Sequence, residues 1–130
     1  VQTCALPILA AGLAQLRELL DGNAYDRLEQ LGARLEEGIR EALRKHGKNY
    51  TFHRAGSMFC LFFTEQEVYD LDSAQKASKE LFKPFFWNML EQGVYFAPSP
   101  YETGFISTAH TEEDIDRTVE AVHVSLSKLG

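Results

Sequence analysis

The sequence predicts an α+β fold: a small, mostly antiparallel sheet with helices on one side. Three observations carry that expectation. Four stretches place apolar residues at steps of three and four, the period of a helix that buries one face. Short apolar runs bounded by turn residues lie between them and read as strands. Their order is helix, helix, strand, strand, helix, strand, strand, helix. At 130 residues the chain makes one domain or a piece of one.

The first helix is expected from Leu9 to Leu20, with Leu9, Leu13, Leu16 and Leu20 on a shared face. Asp21-Gly22-Asn23 stops it, with Gly22 placed for a left-handed conformation. Its abrupt start points to a truncated chain. Asn23 is a candidate cap for the second helix, and Asp26 falls in that helix's positive first turn. The stripe Leu28, Leu31, Leu35, Ile39, Leu43 is its buried face, and Gly47 ends it. Tyr50 to Arg54 and Met58 to Phe63 read as strands around the bend Ala55-Gly56-Ser57. MFCLFF is apolar at every position, which predicts cover on both sides. A helix capped by Asp72 or Ser73 then runs to about Gln92, kinked or divided at Pro84. Short strands follow at Val94–Ala97 and Gly104–Thr108. Between them Pro98-Ser99-Pro100 restricts the backbone. Thr111 caps the last helix, with Glu112, Glu113 and Asp114 in its first turn and Ile115, Val119, Val122 and Leu126 on its buried face.

Composition excludes several function classes. Apolar residues are 45% of the chain, enough for a real core, and the formal net charge is −6. No dense run of Lys and Arg is present, so neither nucleic acid nor an anionic membrane is an expected partner. No apolar run approaches the ~20 residues of a membrane span. Cys4 and Cys60 are the two cysteines, and Cys60 sits in an apolar run as a small core side chain. Such sparse usage points to a reducing compartment. Val1 to Ile8, VQTCALPI, is uncharged and has Pro7 where the first helix should already be running. It lacks the basic start of a signal peptide and looks like a translated adapter oligonucleotide. It is expected to be a non-native leader, with residues 9–130 the domain proper.

No metal site is indicated: His46, His53, His110 and His123 stand apart without a second ligand at usual spacing. Three places could carry chemistry. Arg54, followed by Ala55, Gly56, Ser57 and Met58, could hold an anionic substrate group, brace a neighbouring loop, or be an exposed or ion-paired residue of a structural turn. Glu102, in the proline-stiffened loop, could face a ligand amine, balance a cation, or be solvated. His110, in Ser107-Thr108-Ala109-His110-Thr111, could titrate in a cleft.

AAGLAQL at Ala10–Leu16, RLEEGI at Arg34–Ile39 and FHRAGSMF at Phe52–Phe59 add a further signal. EQGVYFAPSPYETGFISTAHT at Glu91–Thr111 and EEDID at Glu112–Asp116 extend it. On these strings the chain from Ala10 onward resembles the C-terminal end of the glutamate-1-semialdehyde 2,1-aminomutase family. That family belongs to the class III aminotransferases and has the type I fold of pyridoxal-phosphate enzymes. The resemblance implies a parent that converts glutamate 1-semialdehyde to 5-aminolevulinate, the tetrapyrrole precursor. That parent would be a cytoplasmic homodimer using pyridoxal phosphate on a small-molecule substrate. Glu102 matches the family's active-site glutamate, where related aminotransferases carry an arginine for the substrate α-carboxylate. A negative charge there disfavours a carboxylate and favours an amine. Arg54, Gly56, Ser57 and Met58 match a segment close to the site and the subunit contact, and His110 matches the family's AHT. Pro100 replaces a frequent Gln and Tyr101 a usual Phe.

The resemblance also implies that the catalytic lysine and the cofactor contacts lie before Leu9. Lys45, Lys48, Lys76, Lys79, Lys83 and Lys128 match no cofactor-binding motif, so this chain alone is expected neither to bind pyridoxal phosphate nor to turn over substrate. Two alternatives stand beside this reading: a piece of another class III ω-aminotransferase, and a non-catalytic α+β interaction module.

Overall fold

The structure, a computed structural model, describes residues 5–129. The elements run α1 (Ala5–Asp21), α2 (Ala24–Lys45), β1 (Thr51–Ala55), β2 (Met58–Phe62), α3 (Leu71–Ala74), α4 (Lys79–Glu91), β3 (Gly104–Phe105) and α5 (Glu112–Ser127). The strands form one antiparallel sheet in the order β1-β2-β3. Thr51 pairs with Phe62 and Ala55 with Met58, then Met58 with Phe105 and Phe59 with Gly104. Gly56 takes the first turn position with φ +58, which matches a type II′ hairpin turn.

The core lies between one face of this sheet and α2, α4 and α5. Leu31, Leu35 and Ile39 of α2 meet Phe85 and Met89 of α4 and Val122 and Leu126 of α5, all inaccessible or nearly so. Phe52, Leu61 and Phe63 close the cluster from the sheet side. Helices α2 and α5 approach closely enough that a Cβ on Gly38 would collide with Val119. Thr111 and Asp114 form a reciprocal capping box at the start of α5, with bonds of 3.1 and 2.8 Å.

Several expectations require correction. The run at 58–63 is covered on one face only. Phe59, Leu61 and Phe63 point into the core, while Met58, Cys60 and Phe62 lie on the opposite face with no described element over them. The shared stripe of α1 is uncovered: Leu9, Leu13, Leu16 and Leu20 are between 49% and 81% exposed. That helix begins at Ala5, so Pro7 sits in its first turn, where the missing N–H has no intrahelical role. The N-terminal part of the leader expectation, and Cys4, lie outside the described residues. Gly22 does not take a left-handed conformation; its N–H continues the helical pattern to the Glu18 carbonyl at 3.0 Å. Asn23 occupies the cap position of α2 without a side-chain bond.

The single helix expected from 72 to 92 is two. It divides at Ser78, not at Pro84, because the extended Ser78 backbone starts a fresh helix whose Leu81 N–H donates to the serine hydroxyl. Asp70 caps the short α3 through a box with Ser73, so neither Asp72 nor Ser73 is the cap. Pro84 stays inside α4 and is exposed, which removes one internal hydrogen bond without ending the helix. Val94–Ala97 is not a strand, and the later strand shrinks to Gly104–Phe105. The 94–97 segment is held by Phe96 packing on Phe59 and Phe85, at centroid distances of 5.5 and 6.1 Å, instead of by a ladder.

Candidate functional site

The loop from Gly93 to Thr111 is built by ordinary turn chemistry. Gly93 has φ +81 and lets the chain leave α4, while Val94 N–H reaches back to the Met89 carbonyl at 3.0 Å. Ser99, Pro100, Tyr101 and Glu102 then make a β-turn closed by Glu102 N–H donating to the Ser99 carbonyl at 3.2 Å. Pro100 sits at the second position of that turn, where proline's fixed φ is favourable and no amide donor is needed. The proline therefore costs the loop no internal bond. Tyr101 lies with Lys79 Nζ 5.5 Å from its ring centroid. Its hydroxyl is buried and has no partner among the described residues.

Glu102 follows directly. It is exposed, and its carboxylate forms no hydrogen bond or ion pair among the described residues. Its backbone carbonyl accepts from the Cys60 thiol at 3.5 Å. Cys60 belongs to the uncovered sheet face, so this contact sets the Glu102 turn at the margin of that face. Burial pushes the Cys60 thiol up to about 11, which keeps it protonated at neutral pH.

Arg54 has the opposite environment. Its side chain is 13% exposed. Nη1 and Nη2 donate to the two Glu29 carboxylate oxygens at 2.9 and 2.8 Å. Nε donates to Glu36 at 2.7 Å, and Nη1 also donates to the Gly56 carbonyl at 2.9 Å. The hydrogen bonds from Arg54 hold both carboxylates below their usual range, and those to Glu29 and Glu36 raise the guanidinium further. Arg54 thus straps the β1–β2 turn to α2. This is the geometry of an ion-paired residue of a structural turn, and its forked donor face is occupied by Glu29 rather than open to an anion.

The structure joins two of the three sequence candidates. Ser57 accepts from Ile106 N–H at 2.9 Å and Met58 pairs with Phe105, so the 54–58 hairpin and the 93–111 loop share an edge. Gly104 permits this join: a Cβ there would lie 2.5 Å from the Phe59 ring. His110 is elsewhere. Its Nδ1 accepts from Ser107 N–H at 3.0 Å, and it lines a cavity of about 500 Å³ with Arg117 and Asp114, while Glu102 lines a separate crevice of about 30 Å³ with Cys60 and Pro100. His110 and Glu102 are not brought together.

Sequence reasoning missed the partners of Arg54 and the place of Arg117 beside His110. Glu29 and Glu36 are seven residues apart, two helical turns, and so present carboxylates on one side of α2. That spacing was the available signal. Nothing in the sequence pairs Arg117 with the cavity.

None of the six lysines lines any of the three described cavities. Lys48 is half-buried and the other five are exposed. These three cavities thus hold no lysine that could anchor an aldehyde cofactor. No described helix is long and apolar enough to cross a membrane, and no described cluster of three or more His, Cys, Asp or Glu could hold a metal ion.

This arrangement of sheet and helices recurs in solved structures. A transaminase with PLP bound superposes with a TM-score of 0.72 at 30% identity, over 91% of this chain and 26% of that one. The fold is that of a partial domain of the fold-type I pyridoxal-phosphate transaminases. In sequence the chain resembles glutamate-1-semialdehyde 2,1-aminomutases. It is 88% identical over 122 residues to the one from Akkermansia muciniphila, covering 94% of this chain and 29% of that protein. It is 46% identical over 121 residues to the one from Thermodesulfovibrio yellowstonii, covering 93% and 28%. The chain therefore spans less than a third of the length of these relatives. No protein-family model matches it.

Proposed function

We propose that residues 9–130 are the C-terminal small domain of a pyridoxal-phosphate-dependent glutamate-1-semialdehyde 2,1-aminomutase. The complete protein, a cytoplasmic homodimer, makes 5-aminolevulinate for tetrapyrrole synthesis. The observation that carries this reading is the 88% identity with the Akkermansia muciniphila aminomutase along 94% of the chain.

Within that enzyme Glu102 contributes charge, not a proton. It stands on a turn that the fold already satisfies, and its carboxylate has no partner among the described residues. A fixed negative charge at the cleft repels a substrate carboxylate and favours an amine, so it biases which end of the substrate enters. Ser57 and Met58 hold the hairpin against this loop, Arg54 and Gly56 hold it against α2, and all four act as positioning residues. His110 carries no assigned role in the reaction. The cofactor, held by residues outside this chain, supplies the electron sink.

The test uses the Akkermansia muciniphila enzyme carrying this chain over the matched stretch. Supplied with glutamate 1-semialdehyde, it is expected to form 5-aminolevulinate. No product, with the unaltered enzyme active alongside, contradicts the assignment. The chain by itself is expected to lose added pyridoxal phosphate on dialysis, and a retained cofactor absorption band contradicts that part.

A further inference from the structure

The segment Val94-Tyr95-Phe96-Ala97 has the composition of a strand and the exposure pattern of one. Val94 and Phe96 are half-buried while Tyr95, between them, is 69% exposed. Phe96 faces Phe59 and Phe85, whereas the Tyr95 ring meets Phe86 at 6.0 Å. Yet the N–H and C=O groups of Tyr95, Phe96 and Ala97 form no hydrogen bond with any described residue. A run of unpaired backbone groups of this kind is a template for pairing with another strand.

Two further observations locate that partner. The sheet ends at β3, so Gly104–Phe105 is an edge strand. Gly93–Ala97 and Thr103–Ile106 line the same cavity of about 500 Å³. A strand edge, an unpaired run with a strand's alternating exposure and the space they share are the setting for strand addition. The chain spans 29% of the length of its Akkermansia muciniphila relative, so on the reading above most of the same polypeptide lies outside this structure.

We propose that an extended segment from the rest of the same polypeptide lies in this cavity and pairs, as a β-strand, with the backbone of Tyr95 and Ala97. This rests on the assignment of the chain to a larger aminomutase. The phase of the ladder follows from the fold. Val94 N–H is already turned toward α4 by its bond to Met89. In an extended chain the N–H groups alternate sides, so Phe96 N–H lies on the side of Val94, while Tyr95 and Ala97 present theirs to the new strand.

Hydrogen exchange resolved to single amides tests this in the full-length Akkermansia muciniphila enzyme carrying this chain. The expected result is alternation: Tyr95 and Ala97 amides exchange at least about a hundredfold more slowly than Phe96, the protection of a ladder that opens only with its surroundings. Equal protection at all three positions means burial without pairing and overturns the proposal. Fast exchange at all three also overturns it. Protection that vanishes when the subunits are separated assigns the strand to a second copy and overturns the intrachain source. A chimaera that exchanges in the alternating pattern but forms no 5-aminolevulinate leaves the strand in place and removes the aminomutase assignment instead.

Discussion

Two charged side chains beside the sheet have opposite fates. Arg54 is mostly buried and gives four hydrogen bonds, to Glu29, Glu36 and Gly56. Glu102, one loop away, is exposed and pairs with nothing described. A charge whose donors are consumed inside the fold is part of the scaffold. A charge that the fold carries on a satisfied turn, yet leaves unpaired, is available to something outside it. On this contrast Arg54 belongs to structure, and Glu102 is the residue proposed for recognition.

The strongest way to break the contrast is Arg54→Met. It keeps an apolar stem but removes the strap between the hairpin and α2. A loss of about 2 kcal/mol is expected in denaturant unfolding, the scale of hydrogen bonds to charged groups. The partner acids are more exposed than Arg54 and regain water, which holds the loss below that of a fully buried pair. Gly104→Ala attacks a different join, that of the hairpin with the 93–111 loop, by pushing a methyl into the Phe59 ring, at about 1–2 kcal/mol.

Acid sharpens the comparison further. The hydrogen bonds from Arg54 depress the Glu29 and Glu36 carboxyl groups in the folded state relative to their ordinary 4.5. Above that value they are ionised in both states and the stabilisation is complete. As pH falls below it, toward their depressed folded values, the unfolded chain binds protons first and stability is lost. Thermal midpoints measured across that window are expected to fall less steeply for Arg54→Met than for the parent. A parallel decline would assign the acid sensitivity to other groups.

Much of the fold was legible. The stripes of α2 and α5 named the core helix faces, Thr111 named a cap, and Gly56 marked the hairpin turn. Periodicity states which face of a helix seeks cover but not what supplies it, which is why the stripe of α1 stands exposed while the similar stripe of α2 is buried. Strand composition has the same limit. Val94–Ala97 reads as a strand, but a strand exists only with a neighbour, and no described segment supplies one. The division at Ser78 was hidden by Pro84, the louder signal, because a cap is recognised only once its hydroxyl is seen to accept an amide. At the site, Glu102 was a candidate as the carboxylate of a proline-stiffened loop, and the resemblance gave it a role; its lack of a described partner and its placement apart from His110 are facts of tertiary structure.

Smaller effects complete the comparison. Tyr101→Phe removes a buried hydroxyl that has no partner, so it is expected to stabilise the fold by about 1 kcal/mol. Glu102→Gln keeps the shape of the side chain and touches no internal bond. Its effect on unfolding should stay within about 0.5 kcal/mol.

That last variant also carries the decisive measurement. In the full-length Akkermansia muciniphila enzyme bearing this chain, kcat/KM for glutamate 1-semialdehyde and thermal stability are measured before and after Glu102→Gln. The expected result is a loss in kcat/KM of about tenfold or more, as for a charge used in recognition, with the unfolding midpoint unchanged. An undiminished kcat/KM, or a loss that merely tracks a lower unfolding midpoint, contradicts the assignment of Glu102 to the substrate.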